Sequence, residues 1–380
     1  MGSYFQLTEE QTMLRDTVRR LARERILPVA VEIDRCGIFP QDLYDLFVQY
    51  GLPTLAFPER YGGGGGSELD FSIVIEEVAR ISGAAYMNCG LSHLGAQPIL
   101  LFGNEDQKQK YLPSICKGRK IAFALTEPDA GSDVGNIKTK AIKDGDRYIL
   151  NGTKRFISGG KEAELACVFA STNPGAKREG LSCFIVASDT PGYSVGTSED
   201  KMGLRGSSTS ELVFEDCVVP AENLIAEEGA GFGIAMAVLN VTRPTVASAA
   251  VGIAAGALEI AGNYAKERVQ FGAPIASFQG VQFKLAEMAI KVETGRLIAC
   301  YAASLVDSKS RKLPSISAIA KTYCSDIAME VTTEAVQVLG GYGYCREYHV
   351  ERMMRDAKVL QIYEGTNEIQ KILIARSVLK

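Results

Sequence analysis

Glu364 stands between Tyr363 and Gly365, just before a run in which Ile369, Ile372 and Ile374 read as the apolar positions of a helix. Thr366 or Asn367 can cap that helix. A carboxylate at such a junction can be held rigidly while it points into a cleft, which is what a positioned general base requires. Taken alone, a solvated surface carboxylate explains a lone Glu better. The stretch Thr126-Glu127-Pro128-Asp129-Ala130-Gly131-Ser132-Asp133 permits a tight turn whose exposed N–H groups suit a carbonyl or phosphate oxygen. Arg268 carries the forked donors that suit phosphate.

Other chemistries lack their residues. His93 and His349 are the only histidines, too far apart for a metal cluster, and no G-x-S-x-G elbow accompanies them. No metal site is expected. The five glycines Gly62 to Gly66 lack the Gly-Lys-Ser/Thr that completes a P-loop, so they read as a flexible turn before a helix capped by Ser67. The catalytic burden therefore falls on carboxylates or a cofactor. Nine cysteines without a C-x-x-C pair suggest free thiols in a reducing compartment. A formal charge of -4 offers no general attraction for nucleic acid or anionic lipid. No stretch of about 18 uninterrupted apolar residues is present. The first six residues lack a signal peptide's pattern, and Gln6 weakens a myristoylation reading of Gly2. A cytoplasmic protein is the expectation.

Tyr363-Glu364-Gly365-Thr366, preceded by Met354-Arg355-Asp356-Ala357-Lys358, resembles the C-terminal signature of the acyl-CoA dehydrogenases. The resemblance runs from Leu7 to Arg376, with several motifs in the family's order. It implies that Glu364 removes the α-proton of an acyl-CoA thioester while FAD takes a hydride from the β-carbon. The product is a trans-2-enoyl-CoA, and the electrons pass to electron-transfer flavoprotein. It also implies that the base's own backbone N–H and a ribityl hydroxyl steady the charge on the thioester oxygen. The turn at 126–133 resembles the family's T-E-P-x-A-G-S-D motif, which implies that Thr126, with Phe123 and Leu125 ahead of it, contacts the flavin and that Ser132 lies near CoA.

Phe156-Ile157-Ser158-Gly159-Gly160 resembles a segment that commonly reads W/F-I-T-N-G, implying Phe156 against the flavin and Ser158 near its reactive nitrogen. Ser158 for Thr and Gly159 for Asn are departures; Ser keeps the hydroxyl but loses the methyl that fixes its rotamer. Lys201-Met202-Gly203-Leu204-Arg205-Gly206-Ser207 resembles a further family segment that supports the fold and no particular contact. Arg268, Phe271 and Gln279 resemble residues that hold the flavin's pyrophosphate and adenosine part across a subunit contact. Gln337, Gly340 and Gly341 match another flavin-contacting segment, and Thr366 and Glu368 occupy positions that touch FAD in relatives, some of which have Gln in place of Glu368. For the substrate the resemblance implies Asn240, Arg243, Tyr363 and Gly365 beside Ser132. Thr242 stands where some members place an alternative base; a hydroxyl cannot do that work, which favours Glu364.

The elements that must position these residues fall into three stretches. Thr8 with Gln11 forms a capping-box pattern, and helical patterns follow at about 41–50, 68–82, 86–103 and 105–117. From Ala122 short β-rich runs alternate with turn signals, Asn151-Gly152 being a hairpin signal, which suggests a small antiparallel barrel or sandwich. After Gly229 the chain is helical; Asn240-Val241-Thr242-Arg243-Pro244 opens the first long helix, and the Ala- and Gly-rich run 235–265 allows a neighbouring helix close. The expected fold is α+β, with a helical N-terminal domain (1–121), a small central antiparallel β-domain (122–227) and a C-terminal four-helix bundle (228–380). The resemblance adds a homotetramer, a dimer of dimers, and a role in fatty acid metabolism of the short- or medium-chain kind.

An enoyl-CoA reductase or an acyl-CoA oxidase would use the same site, and a nucleic-acid-associated protein of this fold would need a basic domain that this acidic chain lacks. The acyl pocket of relatives is lined by the helix around Tyr86 to Pro98, where Gly90 and Leu91 bring no charge and disfavour a dicarboxylic chain. Straight, branched, aryl and alicyclic chains stay open.

Overall fold

The computed structural model describes residues 6–379, so the readings made on Met1 to Phe5, including Gly2, lie outside the described residues. The first stretch folds as α1 (Glu9–Leu21), α2 (Ala30–Cys36), α3 (Gln41–Gln49), α4 (Glu68–Ala79), α5 (Gly83–Phe102) and α6 (Glu105–Cys116). Local chemistry sets several starts. Thr8 with Gln11, Ser67 with Asp70 and Asn104 with Gln107 close capping boxes on α1, α4 and α6, satisfying N–H groups that a first turn leaves without partners. Gly62 to Gly66 are a packed turn rather than a flexible one: a Cβ on Gly63 would collide with Phe57 O, and one on Gly64 would lie 2.9 Å from Leu55 O.

The middle stretch is one eight-stranded sheet of β1 (Ile121–Ala124), β2 (Lys140–Asp144), β3 (Arg147–Ser158), β4 (Leu165–Ser171), β5 (Leu181–Ala187), β6 (Tyr193–Ser198), β7 (Thr209–Pro220) and β8 (Leu224–Ile225). The order is β6-β7-β3-β2-β4-β5-β8, with β1 on β4. Pairs are antiparallel except β1 with β4 and β2 with β4. Alternate residues of β4 and β5 feed two cores: Cys167, Phe169, Cys183 and Ile185 pack with Ile234 and Val238, whereas Val168, Phe184 and Val186 pack with Leu212 and Phe214. Buried on both faces, these strands read as continuous apolar runs.

The Asn151-Gly152 hairpin expectation is corrected. Both residues lie inside β3, and the turn between β2 and β3 is Gly145-Asp146. Gly152, at φ 149°, sits at a register shift against β7, where a Cβ would come 2.5 Å from Thr139 Oγ1. The glycine answers a close backbone approach, not a turn.

The last stretch comprises α7 (Gly231–Glu267), a hairpin of β9 (Val269–Gln270) and β10 (Ala273–Pro274), α8 (Gln279–Asp307), α9 (Leu313–Leu339), α10 (Val350–Lys358) and α11 (Asn367–Val378). Helices α7, α8 and α9 pack on one another, with α10 and α11 against α9. Asn240 does not open the first of them: α7 begins at Gly231, which puts Pro244 in its interior. Proline there cannot donate to the Asn240 carbonyl, and packing tolerates the loss. Gly252 and Gly256 let α7 lie on α4, since a Cβ at either would collide with Glu76 O or Arg80 O. By length and composition α7 could cross a membrane, but 78% of its apolar window is buried inside the protein, as in a core helix.

Candidate active site

The loop between α10 and α11 carries Glu364 in an unusual backbone state. Its φ is 52° and that of Gly365 is 92°; for a residue with a side chain this region costs on the order of 1–3 kcal/mol and persists only where surroundings impose it. Here they do. Arg243 Nε from α7 donates to Glu364 O at 3.1 Å, and Gln370 Nε2 from α11 donates to Glu364 O at 3.2 Å and Gly365 O at 2.9 Å. Lys321 Nζ from α9 donates to Gly365 O at 2.9 Å. Thr366 caps α11, its hydroxyl accepting from Ile369 N at 3.4 Å.

The carboxylate accepts from the Thr242 hydroxyl, 2.8 Å from Oε2. Burial pushes the Glu364 carboxyl above the usual range, while the Thr242 bond and the charges of Arg243, Lys321 and His93 oppose that rise. Arg243 is 2% exposed, and its Nη1 donates to Asn240 Oδ1 at 3.1 Å. Burial pulls Arg243 down to about 10 against the pull of Glu364.

Glu364, Tyr363 and Gly365 face a cavity of about 410 Å³. It is also lined by Phe123 of β1, Leu125 and Thr126 just after it, and Phe156 and Ser158 of β3; α5 supplies Tyr86, Met87, Gly90, Leu91 and Leu94, and α7 supplies Thr242, Arg243 and Val246. Ser132 lies at the same cavity. Phe156 sits in the irregular stretch between Lys154 and Ile157 of the β3–β7 register, at φ 58° and 56% exposed. Such a bulge re-aims a side chain that regular pairing would direct elsewhere.

The Leu125–Thr126 wall is pinned from behind. Lys154 Nζ, fully buried, lies 2.7 Å from Glu127 Oε1 and 3.1 Å from Leu125 O, while Glu127 accepts from Lys138 N at 2.6 Å and Thr139 N at 3.0 Å. Burial pulls Lys154 down to about 8, and Glu127 opposes the fall. A larger groove of about 1030 Å³ beside α1, α4 and α8 offers no comparable carboxylate, because Glu76 and Glu77 there are paired with Arg296, Arg19 and Arg80.

The other cofactor candidates sit elsewhere. The Arg268 guanidinium stacks over the Tyr342 ring at 5.2 Å, beside Gly340 and Gly341, whose Cα positions are open. Phe271, 98% exposed at φ 52°, meets Phe278 edge-on at 6.1 Å. Gln279 and Gln337 are exposed, and none of these six lines the Glu364 cavity within this chain. Asn240, Thr366 and Glu368 also lie outside the lining.

Sequence reasoning missed Lys321, Lys154 and the lining residues His93, Arg178 and Arg376. His93 is buried, stacked on Phe71 at 4.1 Å, with Nε2 3.2 Å from Glu68 Oε2. For Lys321 a signal existed: a lysine on a helix face with Ser317, Ala318, Cys324 and Ser325 is a lysine headed for the interior.

A carboxylate sharing a largely apolar cavity with aromatic and hydroxyl side chains makes a site for proton transfer on a bound organic substrate, and the comparisons with known proteins give its class. The family described as acyl-CoA dehydrogenase matches with its N-terminal domain at residues 8–119, its middle domain at 122–217 and its C-terminal domain at 229–379. An acyl-CoA dehydrogenase of Bacillus subtilis (strain 168) is 47% identical, over 98% of this chain and 99% of its own. The structure of butyryl-CoA dehydrogenase from Megasphaera elsdenii superposes with a TM-score of 0.97 at 42% identity, covering 99% of this chain and 100% of that one. A chain in a structure devoted to the electron transferring flavoprotein of Acidaminococcus fermentans also has a TM-score of 0.97, at 45% identity and 99% of both chains. The chain belongs to the acyl-CoA dehydrogenase family. It is an oxidoreductase acting on CH–CH groups, in a family of flavoproteins.

Proposed function

We propose that this enzyme removes two hydrogens from the α and β carbons of an acyl-CoA thioester to give a trans-2-enoyl-CoA, with FAD as cofactor and electron-transfer flavoprotein as acceptor. The observation that carries the reading is that Glu364 lines one cavity together with Thr126, Phe156 and Ser158. The residues present fit the cofactor. Phe123, Leu125 and Phe156 offer a flat apolar surface with the Thr126 and Ser158 hydroxyls at the same wall. Thr366 and Glu368, at the start of α11, complete the set that the resemblance implies. The Arg268, Phe271, Gln279, Gln337, Gly340 and Gly341 surface, with an arginine beside open glycines, suits a pyrophosphate. When bound, FAD supplies the acceptor for the β-hydrogen and its electron pair.

The chain's own residues do the rest. Glu364 takes the α-proton, its carboxylate aimed by Thr242 and its backbone held by Arg243, Gln370 and Lys321. Proton loss next to a thioester needs donors at the carbonyl oxygen. Among the described residues the Glu364 N–H has no acceptor, which leaves it free for that oxygen. Ser132 and Tyr363 at the cavity, and Asn240 through Arg243, order the thioester's surroundings.

The acyl end of the chamber is uncharged carbon at Met87, Gly90, Leu91 and Leu94, and a Cβ built on Gly90 meets only Ile75 Cδ1 at 3.9 Å. A monocarboxylic acyl chain suits that end better than a dicarboxylic one. A panel of acyl-CoA esters with an artificial acceptor identifies it. The reading extends to a cytoplasmic homotetramer built from segments 1–121, 122–227 and 228–380, for which light scattering is the check. In Glu364→Gln, flavin stays bound while turnover falls by about 10²–10⁴-fold; near-wild-type turnover removes Glu364 as the base.

A further inference from the structure

Lys321 lies within α9 with no exposed surface. Its Nζ donates to Gly365 O at 2.9 Å and to Asn367 Oδ1 at 2.9 Å, both neutral oxygens, and among the described residues no carboxylate is within ion-pair distance. Asn367 is itself fixed, its Nδ2 donating to Ser325 Oγ at 2.9 Å and Asp326 Oδ1 at 2.8 Å. Asp326 also accepts from Gln361 Nε2 at 2.6 Å. Arg243, the second buried cation here, likewise contacts only neutral oxygens, Glu364 O and Asn240 Oδ1. Two buried cations therefore grip consecutive carbonyls of the loop that carries the half-buried Glu364 carboxylate.

A buried charge that no contacting partner neutralises projects its field through a medium that screens poorly. Burial pulls Lys321 down to about 8; Glu364 most strongly opposes the fall, Arg243 adds to it, and Asp326 and Glu368 oppose it with less effect. Those acting on Glu364 are Arg243, Lys321 and His93, and the Tyr86 phenol feels the Glu364 charge in turn. Glu364 combines a burial that favours the neutral acid with a task that needs the anion.

We propose that Lys321 is a positioning residue for the base: it fixes the Gly365 carbonyl so that Glu364 keeps its left-handed backbone, and its charge favours the carboxylate over the neutral acid. Lys321 acts through Glu364 and does not itself line the cavity. The inference rests on Glu364 being the base. Burial alone pushes that carboxyl up, and Lys321 is among the charges that hold it back.

The test is the pH profile of kcat/KM in the flavin-loaded enzyme, whose acid limb reports protonation of the free enzyme's base. Lys321→Gln keeps a donor for the Gly365 carbonyl but removes the charge, and the acid limb moves up by about one pH unit. Lys321→Arg keeps the charge and holds the limb near its wild-type position. Lys321→Met removes charge and donor together and shifts the limb the same way as Lys321→Gln; it carries the test if that variant does not fold. A limb at the wild-type pH in a folded variant that lacks the charge, whatever the change in kcat, overturns the proposal. An active Glu364→Gln enzyme instead removes the base assignment on which it rests, so the two failures are separable.

Discussion

Glu364 and Thr242 meet only because a loop and a helix 122 positions apart in the chain converge. A hydroxyl donating to a buried carboxylate stabilises the anion by about 1.5–3 kcal/mol, so Thr242→Val, which keeps the shape and loses the donor, raises the carboxyl further. Activity then appears at higher pH: the acid limb of kcat/KM moves up by about one to two pH units. A pH-rate profile measures it, and a limb that stays put removes Thr242 from the charge balance. At this scale the sequence was informative about residue types with a chemistry of their own. Glu364, Thr126, Phe156 and Ser158 all line one cavity. Lys321 and Lys154 went unread: the small residues on the Lys321 face of α9 mark it as buried, but no local pattern says which loop its charge lies beneath.

Helix α7 rests on α4 through two glycines one turn apart, with the carbonyls of Glu76 and Arg80 against their Cα atoms. Gly256→Ala forces the helices apart, and such overpacking costs about 1–3 kcal/mol. The denaturation midpoint falls accordingly, with flavin loading kept equal between the proteins compared. An unchanged midpoint means that the crossing can relax without loss. The Ala- and Gly-rich run announced this close approach, and capping residues announced the starts of α1 and α4. Elements misled where a residue has two uses. Asn151-Gly152 reads as a hairpin, but here glycine accommodates Thr139 inside a long strand; Pro244 reads as a helix start, but tertiary packing carries it in the interior of α7.

Within one protomer the candidates for holding the flavin divide between two places, the Glu364 cavity and the Arg268–Gly341 surface. Phe271, beside that surface, is nearly fully exposed. Arg268→Ala removes a charge-assisted donor worth about 1.5–3 kcal/mol and weakens flavin retention by roughly ten- to a hundredfold. Absorbance of the protein after dilution and gel filtration reads it; full retention assigns the phosphate elsewhere.

The order of helices, strands and helices, and the residue types able to take a proton, were set by local rules: periodicity, caps and composition act over a few neighbouring residues and survive in a one-dimensional reading. The state of the base was not. Its left-handed backbone, its ionisation and the cations beneath it arise from α7, α9 and α11 converging on one loop, and burial, which governs all three, exists only once the chain has closed around itself.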